Sequence, residues 1–187
     1  AKFDAWCRAE TGFPLVDACL RALEASGWIN FRMRAMLMSF ASYHLWLHWR
    51  QPALFLARRF TDYEPGIHYS QSQMQAGTTG INTFRIYNPV KQSQDQDPSG
   101  RFIRHWLPEL ARVPDRWIHT PWEMDGSTQR DSGCVIGGDY PPPIVDHMEA
   151  ARTARRRMAS LRRGEARAEG QEILQRHGSR RRGARRG

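Results

Sequence analysis

Asp62 and Glu64 bracket Tyr63 just after a helical stretch, where a loop begins, and Arg34 lies upstream on a long helix. On spacing alone, the group reads as a surface Asp–Arg pair capping a helix. His68 follows in the same loop and is a side chain able to hold or release a proton near neutral pH. Other chemistries find less support. His44 and His48 have i,i+4 spacing on a helix, but no Glu lies between them in the zinc-protease arrangement and no third ligand is apparent, so no metal is expected. Cys7, Cys19 and Cys134 cannot by themselves hold an iron–sulfur cluster that needs four thiolates. Neither a Ser-His-Asp arrangement nor a Gly-rich phosphate loop is visible.

The elements that must carry these residues follow from periodicity. Pro14 fits a first helical turn, Leu15, Val16, Cys19, Leu20 and Leu23 recur at helical spacing, and Gly27 supplies the stop. A second helix is predicted from Asn30 to Trp49, apolar nearly all round through Met33, Met36, Leu37, Phe40, His44, Trp46 and Leu47. Gln51-Pro52 is expected to break it, with a short helix from Ala53 to Phe60. Residues 61–101 read as irregular, a length of loop that usually wraps a ligand. Ser99 is the predicted cap of a helix holding Phe102, Ile103, Trp106 and Leu107. A last helix runs from Ile144 to about Arg163, and the chain after Gly164 reads as a solvated or disordered tail.

Charge is unevenly placed. Residues 151–187 hold 13 Arg and 3 Glu, a net of +10, while the whole chain is +9, so the first 150 residues are close to neutral. A polycationic segment attracts nucleic acid through its phosphates. The odd, widely spaced cysteines are expected to be free thiols in a reducing, cytoplasmic setting. No apolar run is long enough to span a membrane and no signal peptide is visible, so no membrane partner is expected. The expected organisation is a domain over 1–150, a basic helical to disordered tail over 151–187, and a monomer.

The motifs have a specific order. Trp28-Ile29-Asn30-Phe31-Arg32-Met33-Arg34, then Phe84-Arg85-Ile86-Tyr87-Asn88-Pro89, then Phe102-Ile103-Arg104-His105-Trp106-Leu107-Pro108-Glu109-Leu110, then Tyr140-Pro141-Pro142-Pro143-Ile144-Val145 resemble the flavin-binding helical domain of DNA photolyases and cryptochromes. The resemblance covers roughly residues 5–150 and matches the C-terminal part of that domain. It implies an all-α, multi-helical FAD-binding fold with long ligand-wrapping loops. The stretch lacks the family's antenna domain, its Ser/Thr loop for the flavin phosphates and its lesion-contacting Glu and Trp, so the expectation is either that a segment upstream of Ala1 supplies them or that the protein is a divergent short form.

The resemblance also assigns roles. A flavin ring needs an acceptor for its N3–H and a cation near N1 and O2. It places Asp62, Glu64 and Arg34 there, Tyr63 at the backbone contact between them, and His68 opposite N5 as a proton donor. Trp49 matches the middle member of the family's electron-carrying Trp series, while Ser72 stands where the flavin-proximal Trp would be. Trp28 and Trp46 are candidates for a different relay with Trp49. Asn30, Phe31, Arg32, Met74 and Gln92 fall at DNA-facing positions, with Phe31 in place of the family's Asn and Met74 in place of a base-stacking Trp. Lys91, Arg101 and Arg104 could add phosphate contacts. The implied activity is light-driven repair of UV-induced pyrimidine dimers by a deoxyribodipyrimidine photolyase-like lyase. UV-damaged DNA is the partner, and single-stranded DNA is favoured. The alternatives are a cryptochrome-like photosensor that binds FAD without repair, and a flavin-free nucleic-acid-binding remnant.

Overall fold

The computed structural model describes residues 1–79 and 85–162. It is built of helices, with no β-strand among the described residues. They are α1 (Lys2–Cys7), α2 (Pro14–Ser26), α3 (Phe31–Ser39), α4 (Arg50–Ala57), α5 (Pro65–Gln75), α6 (Pro89–Gln96), α7 (Arg101–Trp106), α8 (Gly126–Ser132) and α9 (His147–Arg162).

Helix α2 is central and packs against α3, α6 and α7. Pro14 occupies its first turn, and Gly27 ends it at φ +70, where a Cβ would come within 2.4 Å of Thr61 Cγ2. That close approach is cemented by Thr61 N donating to the Gly27 carbonyl at 3.0 Å. Leu23, Leu37, Phe40, Leu56, Ile103, Leu107 and Leu110 fill the core around it. Asp17 is wholly buried, yet its carboxylate accepts from Thr11 N (2.9 Å), Thr11 Oγ1 (2.7 Å), Gly12 N (3.0 Å) and Tyr140 Oη (2.6 Å). Those bonds tie the start of α2 to the chain near its far end. Desolvation still outweighs them and raises the Asp17 pKa to about 6.

The long helix expected over Asn30–Trp49 is interrupted. After α3 the chain makes a π-helical turn, Phe40–His44, and Trp46 then adopts φ +54. Pro52 opens α4 rather than breaking its predecessor, because within a first turn the missing N–H has no intrahelical partner to lose. The region expected to be irregular contains two helices, each begun by a side-chain cap followed by proline. Glu64 accepts from Ile67 N at 2.7 Å before Pro65, and Asn88 accepts from Val90 N (3.0 Å) and Lys91 N (3.1 Å) around Pro89. Ser99 does not cap α7. Asp97 takes that role, accepting from Phe102 N (3.2 Å) and Ile103 N (2.9 Å), while Gly100 turns the chain at φ +66.

Helix α9 begins at His147 and buries Ala151 and Ala154, packing against the π-helical turn. Phe84 and the expected tail after Gly164 lie outside the described residues.

Candidate functional site: a cleft between α3 and α5

Helix α3, the end of α4 and helix α5 enclose a cleft of about 170 Å³. It gathers all five residues expected to hold the cofactor: Arg34, Asp62, Tyr63, Glu64 and His68. Leu56, Phe60, Met38 and Ile67 supply apolar walls, and Phe31 and Tyr63 stand at 59% and 39% exposure.

Arg34 is held from three sides. Its Nη2 donates to Asp62 Oδ2 at 2.9 Å, its Nε donates to the Ile29 carbonyl at 2.8 Å, and its guanidinium carbon lies 4.0 Å from the Phe60 ring centroid. The Arg34 hydrogen bond lowers the Asp62 pKa and keeps that carboxyl ionised. Glu64 caps α5, so part of its acceptor capacity is already taken. A hydrogen bond with Tyr69 raises the Tyr63 pKa and keeps the phenol protonated.

His68 reverses one expectation. Its Nε2 lies 2.8 Å from the Ala53 carbonyl, which can only accept, so Nε2 carries the proton. Burial lowers the His68 pKa, and the neutral ring has its Nδ1 lone pair as an acceptor. At neutral pH the side chain is set up to receive a hydrogen bond, not to give a proton.

Two residues, one in the cleft wall and one behind it, escaped the sequence reading. Gln71 lines the cleft with a buried Oε1 that has no hydrogen-bond partner. A buried acceptor without a donor is costly, and a ligand N–H or O–H would satisfy it. Tyr69 links the cleft to Trp49: its ring centroid is 5.3 Å from His68 and 6.4 Å from Trp49. Trp49 itself is half-buried beside the start of α4 and does not line the cleft. Trp28 and Trp46 do not join it, since Trp28 borders a separate hollow near α7 and Trp46 lies under Arg157, 4.8 Å from its ring centroid.

The expected DNA-facing residues are scattered. Phe31 is on the cleft wall, where Ser72, expected at the flavin-proximal relay position and not facing DNA, is a buried hydroxyl. Asn30 caps α3 by accepting from Met33 N at 3.1 Å and borders the hollow near Trp28. Arg32 is exposed, and Met74 is half-buried on α5 outside the cleft lining. Gln92 sits on α6 with its Oε1 buried and unpartnered.

A cation and a carboxylate beside apolar walls, with two vacant acceptors at His68 Nδ1 and Gln71 Oε1, suit a flat ring with polar edges and N–H donors. Comparison with known proteins gives the same answer. The family model of the FAD binding domain of DNA photolyase matches residues 1–160. A deoxyribodipyrimidine photo-lyase of Alkalihalophilus pseudofirmus is 42% identical over 151 residues, covering 80% of this chain and 32% of that protein. Cryptochrome DASH of Gloeobacter violaceus is 38% identical, covering 80% and 30%, and Cryptochrome-2 of Arabidopsis thaliana is 40% identical, covering 78% and 24%. A bacterial class III photolyase structure from Agrobacterium tumefaciens superposes with TM-score 0.81 at 32% identity, over 87% of this chain and 34% of that one. The Synechocystis cryptochrome structure superposes with TM-score 0.80 at 35% identity, over 83% and 32%. The chain thus spans a third or less of the length of these curated relatives. With the helical fold, the cleft and the match over residues 1–160 in agreement, the chain belongs to the photolyase/cryptochrome family and carries its FAD-binding domain.

Proposed function

We propose that this chain is the ring-holding part of a light-driven DNA photolyase-like enzyme that repairs UV-induced pyrimidine dimers. Bound FAD would supply the light-driven one-electron donation to the dimer. Within the cleft, Asp62 accepts a ring N–H, and Arg34 offsets negative charge on the ring's polar edge. The lone pair of neutral His68 and the orphaned Gln71 Oε1 accept further donors. Leu56, Phe60 and Met38 exclude water from the ring face. Glu64 starts α5 and so sets the direction from which His68 and Gln71 enter the cleft.

The observation that carries the repair reading is the pair of exposed aromatics, Phe31 and Tyr63, on the cleft wall beside the ring-holding residues. A lesion must leave the stack to reach a buried cofactor, and aromatic faces receive extruded or single-stranded bases. Damaged DNA is accordingly the proposed partner, with Arg-rich residues 151–187 adding phosphate attraction. A monomer in a cytoplasmic setting completes the reading. Among the described residues, no helix is long and apolar enough to cross a membrane.

A photosensor reading rests on Ser72, a small hydroxyl on the cleft wall where the resemblance expects an electron-donating Trp. Blue-light irradiation of the full-length, FAD-loaded and chemically pre-reduced protein with dimer-containing oligonucleotides separates the two. Repair with turnover, faster on single strands, is expected. Failure on both strand forms, with a reversible flavin light response retained, would transfer the proposal to the sensor.

A further inference from the structure

A second hollow, of about 80 Å³, lies where the π-helical turn meets the start of α6 and the first turns of α9. It shares no residue with the α3–α5 cleft. Its polar lining is His44, Asn88, His147 and Arg155, set against Ile86 and Met148.

His44 is the unusual member. It is 3% exposed, and neither ring nitrogen has a hydrogen-bond partner. Its ring stacks on Phe40, with centroids 5.1 Å apart and planes 18° apart. Burial, reinforced by His147 and Arg155, lowers its pKa to about 4, so the ring is neutral with one N–H donor unused. Asn88 spends its Oδ1 on the α6 amides, leaving Nδ2 free apart from a 3.9 Å contact with Met148 Sδ. Arg155 is exposed and has no ion-pair partner among the described residues.

The nearby acids are engaged elsewhere. Glu149 pairs with Arg152 at 3.1 Å and Arg156 at 3.3 Å. Asp146 accepts from Met148 N and Glu149 N, both at 2.9 Å. The lining therefore combines a cation, an amide donor and an imidazole donor, and includes no carboxylate.

We propose that this hollow binds a phosphate group, with Arg155 at the rim, Asn88 Nδ2 on the wall and the unused N–H of His44 at the floor. Guanidinium and N–H donors converging on a small site are the chemistry that recognises phosphate oxygens. The group can come from free phosphate or from a nucleic-acid backbone, since α9 carries Arg152, Arg155, Arg156 and Arg157 exposed on its outer side. The proposal does not rest on the flavin reading.

The test titrates the full chain at neutral pH with inorganic phosphate and, separately, with a short single-stranded DNA. The readouts are the His44 ring nitrogens by NMR and affinity by calorimetry, with chloride as the control anion. Saturable shifts of the His44 ring are expected, together with at least a tenfold loss of affinity in Arg155→Gln. His44→Phe, which retains the stack on Phe40, should lose affinity similarly. Arg155→Gln alters an exposed side chain and keeps the test valid should His44→Phe fold poorly. Equal affinity for the two probes would assign the site to free phosphate, and tighter oligonucleotide binding with the same sensitivity to Arg155→Gln would assign it to a backbone phosphate. If neither probe shifts His44, the hollow holds ordered water only and the proposal falls. It also falls if Arg155→Gln binds both probes as the wild type does.

Discussion

Replacing Asp62 by Asn separates a structural ion pair from a cofactor contact. The Arg34–Asp62 bond is short, at 2.9 Å, but the two side chains are 24% and 49% exposed, so solvent screens the pair. Such pairs contribute about 0–1 kcal/mol to folding. Arg34 would also keep its Ile29 carbonyl bond and its place over Phe60 in the variant. The denaturation midpoint should therefore barely move. Flavin affinity should fall much further, because the charged acceptor for a ring N–H is gone. Hydrogen bonds to charged groups are worth about 1.5–3 kcal/mol, or roughly 10- to 150-fold in Kd. The assay measures FAD retained by the full-length protein during dilution, alongside urea unfolding of the same samples. Asp115→Asn is the control, since it removes the partner of Arg104 in another surface pair, at 2.7 Å, away from the cleft. Equal flavin retention in wild type, Asp62→Asn and Asp115→Asn would refute the cofactor role and return the pair to simple surface electrostatics.

Three further outcomes are expected. Gln71→Met removes a buried acceptor that has no donor, so it should leave unfolding unchanged or slightly later while lowering FAD retention; a destabilisation above about 1 kcal/mol would show that the amide is already satisfied. Tyr140→Phe deletes the 2.6 Å bond to Asp17 and should cost about 1.5–3 kcal/mol at pH 7, read by urea unfolding. Because the folded Asp17 pKa is raised from 3.8 to about 6, its contribution to wild-type stability is full below pH 3.8 and is lost as pH rises through 6, a change of about 3 kcal/mol. The Tyr140→Phe deficit should shrink below pH 6, and a deficit that grows on acidification would contradict the linkage. Removing residues 163–187 deletes eight Arg, and should flatten the log–log salt dependence of DNA affinity by about 0.9 for each phosphate that is no longer neutralised; an unchanged slope would clear that segment of DNA binding.

The sequence made the cleft legible through short-range motifs and hid it where periodicity failed. Pro14 and Gly27 mark α2 because each exploits a backbone property unique to its residue type. Arg34, Asp62, Tyr63, Glu64 and His68 were all identifiable from motif order, and the fold brings them onto one cleft. Helix α5 was missed because Ile67 to Gln75 is mostly polar, with no apolar stripe to announce a helix. Its true signals were Glu64-Pro65 and the face formed by Glu64, Ile67, His68, Gln71, Ser72 and Gln75, which would have exposed Gln71 as a cleft residue. Asn88-Pro89 was the parallel signal for α6. The π-helical turn was illegible because Phe40–His44 is apolar enough to continue a normal helix, and only packing selects the wider turn.

The corner at Gly27–Ile29 has a mechanical consequence. Gly27 receives Thr61 N, which fixes the chain immediately before Asp62, and the Ile29 carbonyl receives Arg34 Nε. The Arg34–Asp62 bond closes the circuit. Cation and carboxylate thus hang from one short anchorage instead of from two independent helices. Breathing of α3 against α5 would widen the cleft while changing the spacing of this pair little. A charge shift beside the pair would then meet dipoles already in place, which keeps the reorganisation energy of that environment low.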